Sequence, residues 1–564
     1  MGKPSLTKSS DENANWKLVA EYPFDSSIKR MSVLAQAPDG SYYAFTKGAT
    51  ERVLSTCTGM YDGETMQVNE LEEQVLPQVE ELAKGGLRVL TLGMRKIDTK
   101  ETVTADTFKR EDIEQDMQFL GLVGIYDPPR AESRGAVAEC HQAGITVHML
   151  TGDHAATATA IAREVGILPD GYGIDESKKY PKDLVMTATK FDKLSDEQID
   201  AMPELPLVIA RCSPDTKVKM IEALHRRKRI TGMTGDGVND SPSLKESDIG
   251  IAMGQNGSDV AKQAAEIVLV DDNFATIVKA IEEGRRVFAN ISRFVVHMVS
   301  GNVAEVVPLI LGLGFFDDSG KSVFLMTPIQ ILFNNILTSS PPAMSLGLEP
   351  VHPDQMLVPP RPTSEGLFSL SNTIDILFYG FVMGIICLLN FIVVVYGYGG
   401  GQLGVDCNYE YTDICENVFK ARGAVFTVLT LMVLLHGFTC RDLQNPTWTW
   451  SAWTKRKQNF YLIYSFAACF ILCIICLYVP VLNTRVFRHK GIDWEWGMVV
   501  ASCLLYMALT EIWKFFKRMI RRRKAKRREQ QQQEEQEQIE YQRAQEQEQQ
   551  EEQEAHNEKR TQEQ

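Results

Sequence analysis

The sequence predicts an α/β front half followed by an all-α membrane domain of six spans. The front half reads as a small antiparallel α+β domain and then a doubly wound parallel sheet. Three observations predict this. From residue 119, short apolar runs alternate with helical stretches, the pattern of a parallel sheet. Beyond residue 290 come six apolar stretches, each near the roughly 20 residues needed to cross a bilayer. Thr234-Gly235-Asp236-Gly237-Val238-Asn239-Asp240 directly follows one of the apolar runs, at the strand edge where parallel sheets bind ligands.

Residues 1–118 form the antiparallel domain in this reading. Residues 41–46 are a strand running into a Lys47-Gly48-Ala49 turn. Residues 78–84 are a helix stopped by Gly85-Gly86, and 87–92 are the strand after it. Residues 119–290 are the parallel-sheet domain, with strands at 120–125, 145–150, 207–210, 230–233, 249–253 and 266–270. Residues 291–516 hold the spans, at 292–315, 326–346, 373–398, 422–439, 459–481 and 496–516. The second is interrupted by Asn334, Asn335 and Pro341-Pro342. Residues 517–564 are a basic segment and then a Gln/Glu-rich tail with no apolar stripe, expected to be a solvated helix or disordered.

Met1 leads into polar sequence without a secretory signal, so the first 290 residues are expected in the cytosol. Six spans return the C-terminus there, in agreement with the basic run 517–528 and with Lys455-Arg456-Lys457. Arg485, Arg488 and Lys490 fall on the outer side and oppose that topology. The net charge of −14 sits largely in the tail, which gives no footprint for nucleic acid. Five of the 11 cysteines lie in the expected spans, where they act as small apolar residues.

Phosphoryl transfer needs Mg²⁺ on the phosphate oxygens, donors around the transferred group and a positioned nucleophile. Asp236 and Asp240 stand four apart across a glycine-bearing turn, so one carboxylate can ligate Mg²⁺ while the other fixes the loop. Gly235 and Gly237 let the backbone approach a phosphate, and Asn239 can donate to it. Thr151-Gly152-Asp153 lies between a strand and a helix at 155–165, whose first amides suit a phosphate. Lys217, between the two loops in sequence, supplies a point charge.

Together with Asp127-Pro128-Pro129-Arg130, these motifs make residues 20–516 resemble the P-type ATPases that pump calcium, sodium or potassium. The fungal sodium/potassium-exporting subgroup is the best match. The resemblance implies a partial nucleotide-binding domain at 1–118, a haloacid-dehalogenase-like phosphorylation domain at 119–290 whose doubly wound parallel sheet is incomplete, lacking its first strand, and ATP and Mg²⁺ as cofactors. Position by position, Thr151, Gly152, Asp153, Arg211, Lys217 and Asn239 resemble the family's ATP and phosphate contacts, and Asp236 its magnesium ligand. Phe24 looks like the ring on which adenine stacks, with Lys29, Lys47 and Arg88 as the cationic lining. Ser26 stands where relatives place arginine. Cation pumps of this family often carry a disulfide in the outer loop that holds Cys407 and Cys415. Both the bonded and the free state fit the sequence. The Asp-Lys-Thr-Gly-Thr segment that carries the family's phosphorylated aspartate is absent from these 564 residues, so this polypeptide is expected not to form a phosphoenzyme.

Polar groups within a span mark a site. Asn302 and Glu305 share a helix face, and Pro308 cannot donate to the Ala304 carbonyl. Asn335, Thr338 and Ser339 cluster beside Pro341-Pro342, which release the carbonyls of Leu337 and Thr338. The resemblance places the transported-cation ligands at these positions. Calcium cages draw on several carboxylates. Here Ser339 stands where calcium-pumping relatives have an aspartate, and Met432 where some have a glutamate. Glu305 is left as the formal charge, which points to Na⁺ or K⁺. The expected protein is a multi-pass pump of the plasma membrane rather than an internal one, with no nucleic acid and no obligate protein partner. The alternatives are a Ca²⁺ pump, or a non-catalytic membrane protein that binds nucleotide.

Overall fold

Along β3 (Tyr42–Gly48) every second residue is buried, as a strand with one face on a core requires. It is central to a six-stranded sheet of order β1-β2-β3-β5-β6-β4. The others are β1 (Lys17–Asp25), β2 (Arg30–Gln36), β4 (Cys57–Met60), β5 (Arg88–Ile97) and β6 (Met117–Ile125). Helices α1 (Thr50–Leu54), α2 (Val68–Lys84) and α3 (Arg110–Ile113) complete this part. Leu71, Val75 and Val79 recur every four residues on α2 and meet Val53, Leu54, Cys57 and Met117 in one core. Each such side chain contributes about 1.5–3 kcal/mol when fully buried. The computed structural model describes residues 16–25, 28–61, 68–99, 108–172, 181–352, 354–362, 365–448, 459–524, 526–527 and 530. Ser26, much of the Gln/Glu tail and Lys455-Arg456-Lys457 lie outside them.

Two expectations change here. Lys47 and Gly48 are strand residues, not a turn, because each is paired on both sides, Lys47 opposite Met31 and Leu92. The run 120–125 does not open the parallel sheet. It belongs to β6 and pairs antiparallel with β5, since a short apolar run carries no information about the direction of its neighbour.

After α4 (Ser133–Gln142) the strands are parallel, but in two sheets rather than one. The first has the order β7-β9-β8, from β7 (Met149–Leu150), β8 (Val185–Thr187) and β9 (Val208–Ala210). The second has the order β10-β11-β12, from β10 (Gly232–Gly235), β11 (Ile249–Met253) and β12 (Ile267–Leu269). Among the described residues β7 and β10 are each paired on one side. Between the strands run α5 (Ala155–Glu164), α6 (Ala188–Asp192), α7 (Asp196–Asp200), α8 (Pro214–Arg226), α9 (Ser241–Glu246) and α10 (Asp259–Ala264). Strand β8, with three residues and no alternation, was not foreseen.

The chain divides into two compact units, Met1–Ile281 with Asp354–Thr363, and Glu282–Pro353 with Ser364–Gln564. Among the described residues, five helices are long and apolar enough to cross a membrane: Phe274–Gly312 (α11), Leu370–Tyr398, Asp413–Cys440, Phe460–Tyr478 and Glu495–Lys524. The second expected span is a broken helix instead. It consists of α12 (Pro328–Phe333), a π-helical turn Asn334–Thr338 and α13 (Ser340–Gly347). The break falls where the asparagines and prolines stand, and neither α12 nor α13 alone reaches membrane length. Pro308 lies inside α11, which continues past it. The third expected span falls in α14 (Leu370–Ile392) and the π-helical turn Val393–Tyr398 after it, and the fourth lies in α15 (Glu416–Cys440), most of which is buried within the unit.

Cys407 and Cys415 are joined in a disulfide with Cα atoms 5.4 Å apart. Arg422 of α15 is fully buried beneath that loop, donating to the carbonyls of Cys407 (2.7 Å) and Phe324 (2.8 Å) and to Asn408 (2.6 Å). Two of the charges that opposed the topology are engaged here. Arg488 donates to the Asn408 carbonyl at 2.7 Å, and Lys490 to Glu416 at 2.7 Å.

Candidate functional site

Strand β10 ends in the Asp-Gly loop. Asp240, nearly buried, accepts from Lys217 Nζ at 2.6 Å on one oxygen and from the Gly237 amide at 3.1 Å on the other. Both of its oxygens are therefore committed to holding the loop. Gly235 lies against that carboxylate, and a Cβ there would stand 2.5 Å from the Asp240 Cβ. Asp236 is exposed, and its carboxylate has no partner among the described residues. Asn239 is exposed beside it. The two acids thus divide as an anchored residue and an open one.

At the end of β7, Thr151 donates its hydroxyl to Asp153 (3.0 Å) and accepts from the Asp153 amide (3.1 Å). The Arg211 amide donates to the Asp153 carbonyl at 3.0 Å, and Cys212 to the Thr151 carbonyl at 2.9 Å. Arg211 takes a left-handed φ of 61° and donates to Glu51 of α1 at 3.1 Å. Arg88, at the start of β5, lies 3.6 Å from Asp153. Four residues from distant parts of the sequence, Arg88, Thr151, Asp153 and Arg211, therefore meet. Burial holds the Lys29 ammonium below its usual range, and Arg211 and Arg52 add to the shift while Glu51 opposes it. Burial also pushes the Cys212 thiol up to about 11, which disfavours its thiolate at neutral pH.

Phe24 is 63% exposed on β1, which removes the reading of it as a core aromatic. Lys47 lies on the outward face of β3 with Tyr43 and Phe45. What ties the Pro23 backbone of β1 to the Arg30 backbone of β2 was not legible. Arg110 donates to the carbonyls of Pro23 (2.7 Å) and Arg30 (3.0 Å), and it is held in turn by buried Glu114 at 2.9 Å. Glu114 also accepts from Arg30 and Ser32. No local pattern signals this cluster, which joins residues 23–32 to residues 110–114 through bonds spanning 80 or more positions. Asp272 is similar: its carboxylate accepts the amides of Gly254, Gln255 and Asn256 beyond β11.

In the helical unit, Asn335 donates to Glu305 at 2.6 Å, bringing α11 and the broken helix together. Thr338 is buried and donates to the Asn334 carbonyl at 2.9 Å. Ser339 is buried beside Gly301. Asn302 is exposed whereas Glu305 is buried, so the two are not gathered into one buried site although residues three apart share a helix face. The expected free carbonyl of Leu337 accepts the Cys469 thiol at 3.3 Å. The residue overlooked as a site candidate is Asn334, read only as an interruption. It is fully buried, and its side-chain oxygen takes hydrogen bonds from Thr338 and from Thr430 of α15.

These clusters define a phosphate-suited α/β edge in a chain that continues into a bundle of membrane-length helices. The family described as "Cation transporting ATPase, C-terminus" matches residues 323–516, and "P-type ATPase, cytoplasmic domain N" matches residues 3–132. The chain belongs to the P-type cation ATPase family. It is 47% identical over 530 residues to the sodium/potassium exporting P-type ATPase cta3 of Schizosaccharomyces pombe, covering 92% of this chain and 50% of that protein. It is 44% identical over 525 residues to the sodium/potassium exporting P-type ATPase 2 of Saccharomyces cerevisiae, covering 90% of this chain and 48% of the other. The calcium-transporting ATPase 1 of Bacillus cereus is 35% identical over 504 residues, with 89% and 53% covered. The chain spans about half the length of these relatives.

Proposed function

We propose that this chain is the C-terminal portion of an ATP-driven P-type pump that exports Na⁺, K⁺ or both from the cell, working in the plasma membrane with six spans in this portion. The Glu305–Asn335 hydrogen bond beside a helix break carries the reading. One carboxylate among neutral oxygens from Asn335, Thr338 and Ser339 suits a monovalent ion, whereas calcium cages draw on several acids. The broken helix counts as a span because irregular backbone is tolerated in a membrane where protein buries it.

The residues at the β10 edge fit Mg²⁺. Asp236 would hold it, since Asp240 is committed to Lys217 and Gly237. The bound ion supplies charge neutralisation on phosphate oxygens. Phe24, Lys29, Lys47 and Arg88 hold ATP by its base and charge. Thr151, Gly152, Asp153, Arg211, Lys217 and Asn239 orient its phosphates.

Fusion of the N-terminal half of the Schizosaccharomyces pombe relative to this chain tests the reading. The expected result is ATPase activity stimulated by Na⁺ or K⁺ and abolished by Glu305→Gln. Activation by micromolar Ca²⁺ without response to either monovalent ion would favour the calcium reading, which the Bacillus cereus relative keeps second. The 564-residue polypeptide alone, given γ-labelled ATP and acid-precipitated, is expected to carry no hydroxylamine-labile label. Such a label would refute the proposed need for the absent aspartate.

A further inference from the structure

His436 and Cys440 stand four residues apart on α15, so they project from one face. The Cys440 sulfur lies 3.3 Å from Nε2 of His436. That is close to the roughly 3.5 Å separating two atoms that share one metal at bond lengths of about 2.0 and 2.3 Å. His297 of α11 stacks on His436, ring centroids 5.4 Å apart. The potential ligand atoms of all three residues lie within 4.8 Å of one another, and all three residues are fully buried.

Two details point to a ligand rather than a packed core. Neither ring nitrogen of His297 has a hydrogen-bond partner, although the residue is 0% exposed. The Ser339 backbone lies close to the ring without bonding either nitrogen. A neutral imidazole offers one donor and one acceptor, and burying both unpaired is costly. The second detail is the support for His436. Its Nδ1 shares a 2.7 Å hydrogen bond with the Tyr506 hydroxyl, which leaves Nε2 as the nitrogen for a metal, with the Cys440 sulfur beside the ring at 3.3 Å from Nε2 and 3.8 Å from Nδ1. Such outer partners fix the ring of a metal-ligating histidine.

We propose that His297, His436 and Cys440 form a binding site for Cu⁺ inside the helical unit. Soft thiolate with imidazole selects this ion. Charge decides against Zn²⁺. Cys440 would lose its proton to solvent and give Sγ as a thiolate, so Cu⁺ leaves the site neutral. Zn²⁺ would leave a net positive charge in apolar surroundings. The Lys514 ammonium, held by the Thr439 carbonyl at 2.9 Å and Thr447 at 2.6 Å, already supplies a cation nearby.

The test uses the full chain in lipid nanodiscs, anaerobic and with a non-thiol reductant. Cu⁺ is titrated against a chromogenic Cu⁺ chelator, and the loaded protein is examined by copper X-ray absorption. The expected spectrum shows one sulfur and two nitrogen ligands. His297→Gln and Cys440→Ser should each weaken binding by about 100-fold or more, and Tyr506→Phe by about 10–100-fold through loss of the outer partner. Sulfur-only coordination would overturn the proposal by assigning the ion to cysteines such as Cys469, Cys473 and Cys476. Unchanged affinity in folded His297→Gln, or tighter binding of Zn²⁺ than of Cu⁺ in parallel chelator competitions, would overturn it too. Should the variants not stay monodisperse, the ligand set in the parent spectrum decides alone.

Discussion

Phe24 carries an aromatic ring into solvent where a core residue would hide it. If that ring stacks on a base, Phe24→Ala should weaken nucleotide binding by about 1–3 kcal/mol while leaving the melting temperature unchanged. Titration with a fluorescent nucleotide and a thermal scan separate the two. Lys217→Ala makes the opposite kind of change. It leaves the Asp240 carboxylate largely buried without its cation, a loss of about 3 kcal/mol that a denaturant titration would read. Burial holds His148 below its ordinary value of 6.5. His154 is held down by burial and then by Arg211. Below 6.5 the unfolded chain takes up protons that the folded chain refuses. The contribution of these residues is therefore complete at neutral pH and is lost as pH falls below about 6.5. The melting temperature of the sheet-containing unit should drop between about pH 7 and pH 5.5.

At the scale of elements, the break in the second expected span was written in the sequence, because Asn334, Asn335 and Pro341-Pro342 have no place in a uniform apolar helix. The form of the break was not. A π-turn arises from the Ser339 amide reaching back to the Asn334 carbonyl at 2.8 Å, and no composition rule selects that bond over a plain kink. Thr338→Val removes a donor to Asn334 and should cost about 1 kcal/mol, measurable as lower thermal stability in nanodiscs. The strands show the same division. β11 was legible because its apolar run is bounded on both sides, and β3 because its residues alternate. The partner of β6 was not legible, since direction of pairing is decided by chain segments far away in sequence.

Across the whole molecule, the boundary between sheet-rich and helical units could be read from hydropathy alone, whereas the charges at Arg488 and Lys490 could not be reconciled with it. Their partners, Asn408 and Glu416, lie 74 to 80 residues away, beyond the reach of a rule that counts charges near a span. The disulfide at Cys407–Cys415 and buried Arg422 fasten the same end of the bundle. Closing so short a loop is worth about 2 kcal/mol. The double substitution Cys407→Ser with Cys415→Ser should lower the stability of the helical unit by that amount. A reductant should have no further effect on the variant.

The Arg88–Asp153 and Arg211–Glu51 contacts have a consequence for how an anion would arrive. These two arginines are not idle, because each already holds a carboxylate. Binding would then be an exchange of one anion for another, with fewer small ions released to solvent than the number of basic residues suggests. Affinity should fall only gently as salt is raised. Glu51→Gln frees Arg211 from its internal rival, so the variant should bind ATP more tightly and lose that affinity more steeply with added salt.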